Sequence, residues 1–385
     1  MNALTLTNAG LVMPFGGSGG YASVRAEDGV IAAIGGIVAT DEEFIDLGES
    51  LLLPGFIDIH CHGAAGADVN EDGLDGLIEA GRHLAREGVT AWVPTLVPDS
   101  HDNYSRAVKA IDELMRRDPA DLGIARVLGV HYEGVFANEN RCGALRKEYF
   151  LEYSKDALAG LPLPSKGVKM MTLAPEIEGG IDLVEALVSN GWIAAAGHTS
   201  ATAEVLDKAW NAGLRHLTHF FNAMDGIHHR SLGVAGWGLA KDGVTFDVIA
   251  DGHHVHPSLL AAVTRARGTE NVILISDSIS AAGLGDGEFE VWGKKIGVSG
   301  GVATDRNGTI SGSVISMKDA FNLVFSNGSS FEEASAMASL NPASLLGIDR
   351  ETGSLEVNKT ADLTAWREGE VVLTVIGGKI VHNAL

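Results

Sequence analysis

The chain has 385 residues, which is long for a single core and predicts one large domain with a smaller appendage. Hydrophobic residues make up 45% and charged residues 20%, the balance of an ordinary globular enzyme. The 50 acidic residues against 28 basic ones give a net charge of −22, which argues against a nucleic-acid or anionic-membrane partner.

From the N-terminus, residues 3–8, 22–25, 30–37 and 44–53 read as short strands broken by Gly, Asn and Asp. Apolar runs then alternate with helical patterns. The runs are 56–59, 89–96, 125–130, 168–173, 192–196, 214–218, 244–249 and 272–275. Helical patterns at 74–87, 105–116, 183–189, 202–212 and 257–266 lie between them. Eight such alternations predict an α/β fold, a parallel (β/α)8 TIM-like barrel. At the far end 361–366, 371–376 and 379–381 read as strands, with Gly377-Gly378 as a turn. Two β-rich ends predict a small discontinuous β-sandwich domain of 1–55 plus 350–385 around a catalytic barrel of 56–349.

The predicted strand ends carry an unusual set of side chains. The first runs into His60-Cys61-His62. Positions i and i+2 of a strand point the same way, so both imidazoles can reach one metal ion. The third ends in His131-Tyr132-Glu133, the fifth in Gly197-His198 and the sixth in Thr218-His219. Asp251-Gly252-His253-His254 follows the seventh, and Ser276-Asp277 the eighth. A barrel gathers such residues at one mouth. Four histidines (His60, His62, His198, His219) and two carboxylates (Glu133, Asp277) are the inventory of a one- or two-metal hydrolytic site. Histidine and carboxylate ligands suit zinc or iron, and also cobalt or manganese. Strand parity turns Cys61 and His216 away from this face, as a buried thiol and a structural histidine. His131 is expected to support the ligands, and His83 and His101 to be incidental.

Cys61 and Cys142 are the only cysteines, too few for a disulfide framework. The first 20 residues lack a basic segment followed by an apolar core, and no run approaches the roughly 18 apolar residues of a membrane span. A cytoplasmic location without a membrane partner is the expectation.

Several segments carry a family pattern almost end to end. They are 53–63, Glu87-Gly88-Val89-Thr90, Gly129-Val130-His131-Tyr132-Glu133-Gly134, Gly197-His198-Thr199 and Thr218-His219-Phe220-Phe221-Asn222-Ala223-Met224. The segments 249–255, Ile275-Ser276-Asp277, Ser311-Gly312-Ser313, Asn341-Pro342-Ala343 and Lys359-Thr360-Ala361-Asp362-Leu363 continue it. In these residues the chain resembles the amidohydrolase superfamily and, within it, the N-acetylglucosamine-6-phosphate deacetylases. The resemblance implies that Glu133, His198 and His219 bind one divalent metal and that His60 and His62 hold a second. It implies that Asp277 is the catalytic aspartate and that Asn222, Ala223, Arg230 and His254 hold a sugar 6-phosphate. In some members the arginine comes from a neighbouring subunit, which implies a homodimer. Two positions depart from the family pattern. Val135 replaces the usual proline after Glu133-Gly134, and Leu145 replaces a histidine that polarises the amide carbonyl or contacts the sugar. Leucine cannot donate that hydrogen bond. A second metal taking over, a differently seated sugar or another substrate are the alternatives.

The expected reaction is metal-dependent deacetylation of N-acetylglucosamine-6-phosphate, giving glucosamine-6-phosphate and acetate. Asp277 would move the proton from water to the leaving amine. The alternatives are the galacto epimer, N-acetylgalactosamine-6-phosphate, or an N-acyl-amino acid or cyclic amide. A non-catalytic binding barrel would be expected to lose ligands, whereas all six candidate residues are present.

Overall fold

The computed structural model describes residues 3–14, 17–36 and 44–385. Eight parallel strands form the barrel: β1 Phe56–Cys61, β2 Val89–Leu96, β3 Gly129–Glu133, β4 Val168–Leu173, β5 Ile193–Ala196, β6 His216–Leu217, β7 Thr245–Ile249 and β8 Val272–Ile275. The ring closes between β8 and β1 at its C-terminal end. There Asp277 N donates to the His60 carbonyl at 2.9 Å and His62 N to the Ser278 carbonyl at 2.8 Å. Every residue of β1, β2 and β3 is buried, as strands covered on both faces require.

Side chains alternate between two apolar clusters. Ile57, Ile59, Ala91, Val93, Met170, Ala195, Ile249, Ile273 and Ile275 fill the interior, and Ala343 and Leu346 join them. Trp92, Leu96, Val130, Tyr132, Leu173 and Phe246 face the helices outside. The pairing of β1 with β2 shifts register between Asp58 and Cys61. That irregularity moves His60 and His62 onto the inward face, which Ile57 and Ile59 hold lower in the same strand.

The predicted helices are present with small boundary shifts, at Gly73–Arg86, His101–Leu114, Gly180–Ser189, Ala203–Asn211 and Pro257–Arg267. Three features differ from the sequence reading. The third strand is split and runs further than 125–130: Arg126–Val127 pairs with β2 inside the predicted run, and Gly129–Glu133 extends three residues beyond it. Ile124 and Ala125 are apolar because they pack under the first helix, where Ala125 N bonds the Gly81 carbonyl at 2.9 Å. The predicted strand 44–53 is two strands, Phe44–Asp46 and Leu51–Pro54, because the Asp46 carboxylate accepts Gly48 N at 2.8 Å and turns the chain. An unpredicted three-stranded antiparallel sheet, Gly287–Val291, Lys294–Ser299 and Val302–Thr304, follows β8.

Both chain ends build the second sheet. Its order is Lys379–Asn383, Glu370–Ile376, Leu363–Arg367, Leu51–Pro54, Ala3–Met13, Gly17–Glu27 and Val30–Ile34, with Phe44–Asp46 beside Ala3–Met13. The predicted Gly377-Gly378 turn joins Ile376 to Lys379, with both glycines at positive φ. Residue 37 of the predicted third strand lies outside the described residues. The sheet encloses its own cluster, including Leu6, Leu11, Ile31, Leu52, Leu363, Leu373 and Val375. The α/β barrel with a small β-sandwich from both chain ends is therefore the fold.

Ion pairs clamp the two parts: Lys379 meets Asp118 and Asp121, Lys318 meets Glu370, and one pair reaches a fully buried carboxylate. Arg126, beside β2, reaches both oxygens of Asp362 at 3.0 and 3.2 Å. Asp362 is fully enclosed, and Arg126 keeps 30% of its side chain exposed. Burial pushes the Asp362 carboxyl up, and the guanidinium opposes that shift. Arg126→Ala should leave the carboxylate enclosed without its partner. The expected cost is about 2 kcal/mol, below the 3–5 kcal/mol of a fully buried pair because water reaches the guanidinium. Chemical denaturation checks it; an unchanged midpoint would show that the clamp adds nothing to stability.

Candidate metal centre and active site

The six predicted ligand-type residues converge. His60 and His62 stand at the end of β1 with their Nε2 atoms 3.2 Å apart. Glu133 ends β3 and lies among the imidazoles. Its Oε1 is 3.0 Å from the Nε2 atoms of both His198 and His219, and 3.5 Å from that of His60. Its Oε2 is 3.2 Å from His62 Nε2. His198 and His219 follow β5 and β6, and their Nε2 atoms are 3.0 Å apart. Asp277 follows β8, with Oδ1 3.1 Å from His62 Nε2 and 3.4 Å from His60 Nε2. Two ligand groups result, His60–His62–Glu133 and Glu133–His198–His219, each with donor atoms within 4.8 Å of one another.

The outer ring nitrogens decide what these groups can hold. His62 Nδ1 lies 3.1 Å from the Thr95 carbonyl, and His198 Nδ1 2.8 Å from the Arg141 carbonyl. A carbonyl only accepts, so each Nδ1 carries the proton and each neutral ring turns its Nε2 lone pair inward. Those lone pairs face the oxygens of Glu133 and Asp277. Lone pairs this close repel unless a cation or extra protons fill the space, so the donor set fits a divalent metal. Without a metal, protons take that place. Burial alone would lower His62, but Asp277 and Glu133 raise it to about 10. Burial likewise opposes the Glu133 carboxylate at His219, which is raised to about 9. Burial disfavours ionised Glu133, yet His60, His198 and His219 hold its carboxyl well below the usual range. Asp277 is lowered too, with His60 and His62 outweighing its burial.

The backbone is strained where it delivers these groups. His198, His219 and Asp277 have φ of 49°, 31° and 48°, a left-handed region that non-glycine residues rarely occupy. Hydrogen bonds hold them there. Asp247 accepts from His219 N, and its second oxygen is 3.0 Å from His216 Nε2. Asp277 N bonds the His60 carbonyl, and its own carbonyl accepts from Ser313 N at 2.8 Å. His216 is thus structural, as expected. His131 is buried beside His60, with Nε2 2.8 Å from Thr172 Oγ1 and its ring 4.8 Å from that of His60. Cys61 faces away, its sulfur 3.3 Å from Ser278 Oγ, and burial pushes its thiol pKa up. His83 and His101 take no part in the site's hydrogen bonds.

The ligands open into a cavity of about 340 Å³. Asn222, Ala223 and His254 line it with Glu133, His198, His219 and Asp277. His254 Nδ1 lies 2.6 Å from Asp251 Oδ2, which aims the ring; Asp251 had no role in the sequence reading. Arg230 is placed elsewhere. It sits on an exposed loop with Nε 3.0 Å from His229 Nε2 and does not line the cavity. Leu145 lines the cavity in an apolar cluster with Trp292. Sequence reasoning missed Trp292 although a signal existed, since Trp292-Gly293 is a turn between two alternating strands.

Residues 51–381 match the Amidohydrolase family. The chain is 37% identical to the N-acetylglucosamine-6-phosphate deacetylase of Bacillus subtilis (strain 168) over 336 residues, 86% of this chain and 85% of that protein. It is 36% identical to the N-acetylgalactosamine-6-phosphate deacetylase of Escherichia coli O157:H7 over 348 residues, 90% of each. A solved structure of a mutant N-acetyl-D-glucosamine-6-phosphate deacetylase from Mycobacterium smegmatis, in complex with N-acetyl-D-glucosamine-6-phosphate, superposes with a TM-score of 0.90 at 28% identity and covers 100% of both chains. The chain belongs to the Amidohydrolase family and is a metal-dependent amide hydrolase.

Proposed function

We propose that the protein deacetylates N-acetylglucosamine-6-phosphate to glucosamine-6-phosphate and acetate. The observation that carries this reading is one cavity shared by Asp277, the ligand cluster and the Asp251–His254 pair. The similarity to an N-acetylgalactosamine-6-phosphate deacetylase favours N-acetylgalactosamine-6-phosphate as a second reading.

His60, His62 and Glu133 would hold one divalent ion and Glu133, His198 and His219 another, zinc or iron in the first instance. Such ions would polarise the amide carbonyl and acidify the attacking water. Asp277 is ionised at neutral pH, so it accepts the proton of the attacking water and returns it to the departing amine nitrogen. Asn222, Ala223 and His254 hold the phosphate, with His254 aimed by Asp251. Arg230 completes that cradle from a second copy of the chain. Its place on an exposed loop, flanked by Ile227 and Leu232 at 55% and 44% exposure, supports a homodimer. The sandwich cluster supports domain limits of 1–55 plus 350–385 and 56–349, while Val12, Leu53, Trp366 and Val371 pack into the barrel's cluster; 1–2, 15–16 and 37–43 lie outside the described residues. No helix among the described residues is long and apolar enough to cross a membrane. A cytoplasmic location accords with two free cysteines.

Three outcomes are expected. Acetate should be released from N-acetylglucosamine-6-phosphate much faster than from N-acetylglucosamine, with metal content measured on the same sample. No release from a fully metallated protein would overturn the substrate. Asp277→Asn should lower kcat by about 10²–10⁴ while metal content is retained; near-normal turnover would remove Asp277 from the chemistry. Metal affinity should rise with pH. His62 and His219, raised to about 10 and 9, both carry protons at pH 7 without metal, and a ligated cation displaces them. Calorimetry in buffers of different ionisation enthalpy should show about one proton released per ion at pH 7. A buffer-independent enthalpy would contradict this.

A further inference from the structure

The cavity has two chemically different ends, and the barrel sets them opposite each other. Asn222 and Ala223 follow β6 and His254 follows β7. The other end is apolar. Leu145 comes from the loop after β3, and Trp292 stands against residues that follow β1. Its indole N–H donates to Asp68 Oδ2 at 2.8 Å, and its ring meets that of His62 edge-on at 5.3 Å. Val97, just past β2, packs in the same apolar cluster. In a closed ring of eight strands, β2 lies across from β6. The ligand cluster and Asp277 sit between the two ends.

Trp292 is fixed rather than loosely packed. It is 6% exposed. With Gly293 it forms the two-residue turn joining Val291 to Lys294, at φ of 51° and 72°. Turns of this kind select Asn, Asp or Gly at the first position, and a bulky residue there is strained. The bond to Asp68 holds the ring in place, and Asp68 Oδ1 in turn accepts from Asn70 N at 2.8 Å. Leu145 completes the wall; its Cδ1 fills the space where a Cβ on Gly134 would stand, 2.3 Å away.

We propose that Trp292 and Leu145 form the wall of the acyl subsite and restrict the enzyme to short acyl groups. This rests on the amino-sugar-phosphate deacetylase reading and extends it to the acyl half of the substrate. A secondary amide is trans, so its nitrogen and acyl substituents leave on opposite sides of the C–N bond. A sugar phosphate held by Asn222 and His254 therefore directs the acyl chain across the ligand cluster towards the indole. An acetyl methyl meets an apolar surface, and each further methylene runs into a ring that Asp68 and His62 prevent from moving.

The test compares kcat/KM for the N-acetyl, N-propionyl and N-butyryl derivatives of glucosamine-6-phosphate. The wild type should lose about tenfold per added methylene. Trp292→Gly suits the left-handed backbone and should raise the butyryl-to-acetyl ratio by about tenfold or more. Leu145→Ala, which enlarges the same wall without touching the turn, should move the ratio the same way. Trp292→Phe keeps a ring and should preserve the acetyl preference. A ratio unchanged in Trp292→Gly and Leu145→Ala at wild-type metal content would overturn the proposal. Wild-type cleavage of the butyryl compound as fast as the acetyl one would do the same. If the metallated wild type cleaves none of the three, the deacetylase reading falls and the acyl subsite with it; an active wild type with unmoved ratios removes the subsite alone.

Discussion

The rest of the structure depends on one unfavourable arrangement, a buried carboxylate surrounded by imidazole nitrogens that all point inward. Glu133 lies within 3.5 Å of four Nε2 atoms contributed by three different strand ends. No flexible chain would gather these groups unaided, since burial disfavours the carboxylate and neighbouring lone pairs repel. The barrel imposes the arrangement and a cation or protons satisfy it. A protein that has already brought the donors together uses less of the binding energy of a cation on ordering them.

The enforcement is spread over the C-terminal rim. The closing bonds between β8 and β1 run through His60 and Asp277, so ring closure and site assembly are one event. Asp58 strengthens that seam from outside, taking Ser276 Oγ at 2.5 Å and His60 N at 3.2 Å. Burial pushes the Asp58 carboxyl up to about 6, against the pull of those bonds. The loop after β3 works twice. Its Arg141 carbonyl fixes His198, and the Arg141 side chain ties down to Ser200 and Asp225. The left-handed backbone of His198, His219 and Asp277 persists at the rim because such contacts over-determine it.

Much of this was legible in the sequence, for reasons tied to particular residues. Parity along a strand is robust, so His60 and His62 were correctly separated from Cys61. The absolute phase was not legible, because it comes from a register shift between Asp58 and Cys61 that hydrophobic pattern does not encode. The run 125–130 stopped the third strand short because His131, Tyr132 and Glu133 end its apolar trace while the backbone continues in the sheet. Asp46 and Gly48 carried a turn signal that the continuous reading of 44–53 passed over. The sheet after β8 was missed in favour of the barrel's own rhythm, and Trp292 went with it. Arg230 does not line the active-site cavity of its own chain, which a linear pattern cannot reveal.

The sheet shared by both chain ends has a temporal side. Leu52 and Leu53 pair with Ala365 and Thr364, and the Arg367 guanidinium bonds the Leu47 carbonyl across 320 residues. During synthesis at roughly 5–20 residues per second, the first strands wait with an open edge until almost the last residue has been made. The barrel's neighbouring strands pair locally long before that. The strands from Leu363 onward are thus the last to be made and the last to join the sheet, a seal set on strands synthesised long before. A nascent chain cut short before Leu363 would keep every metal ligand yet carry an unpaired sheet edge open to other chains.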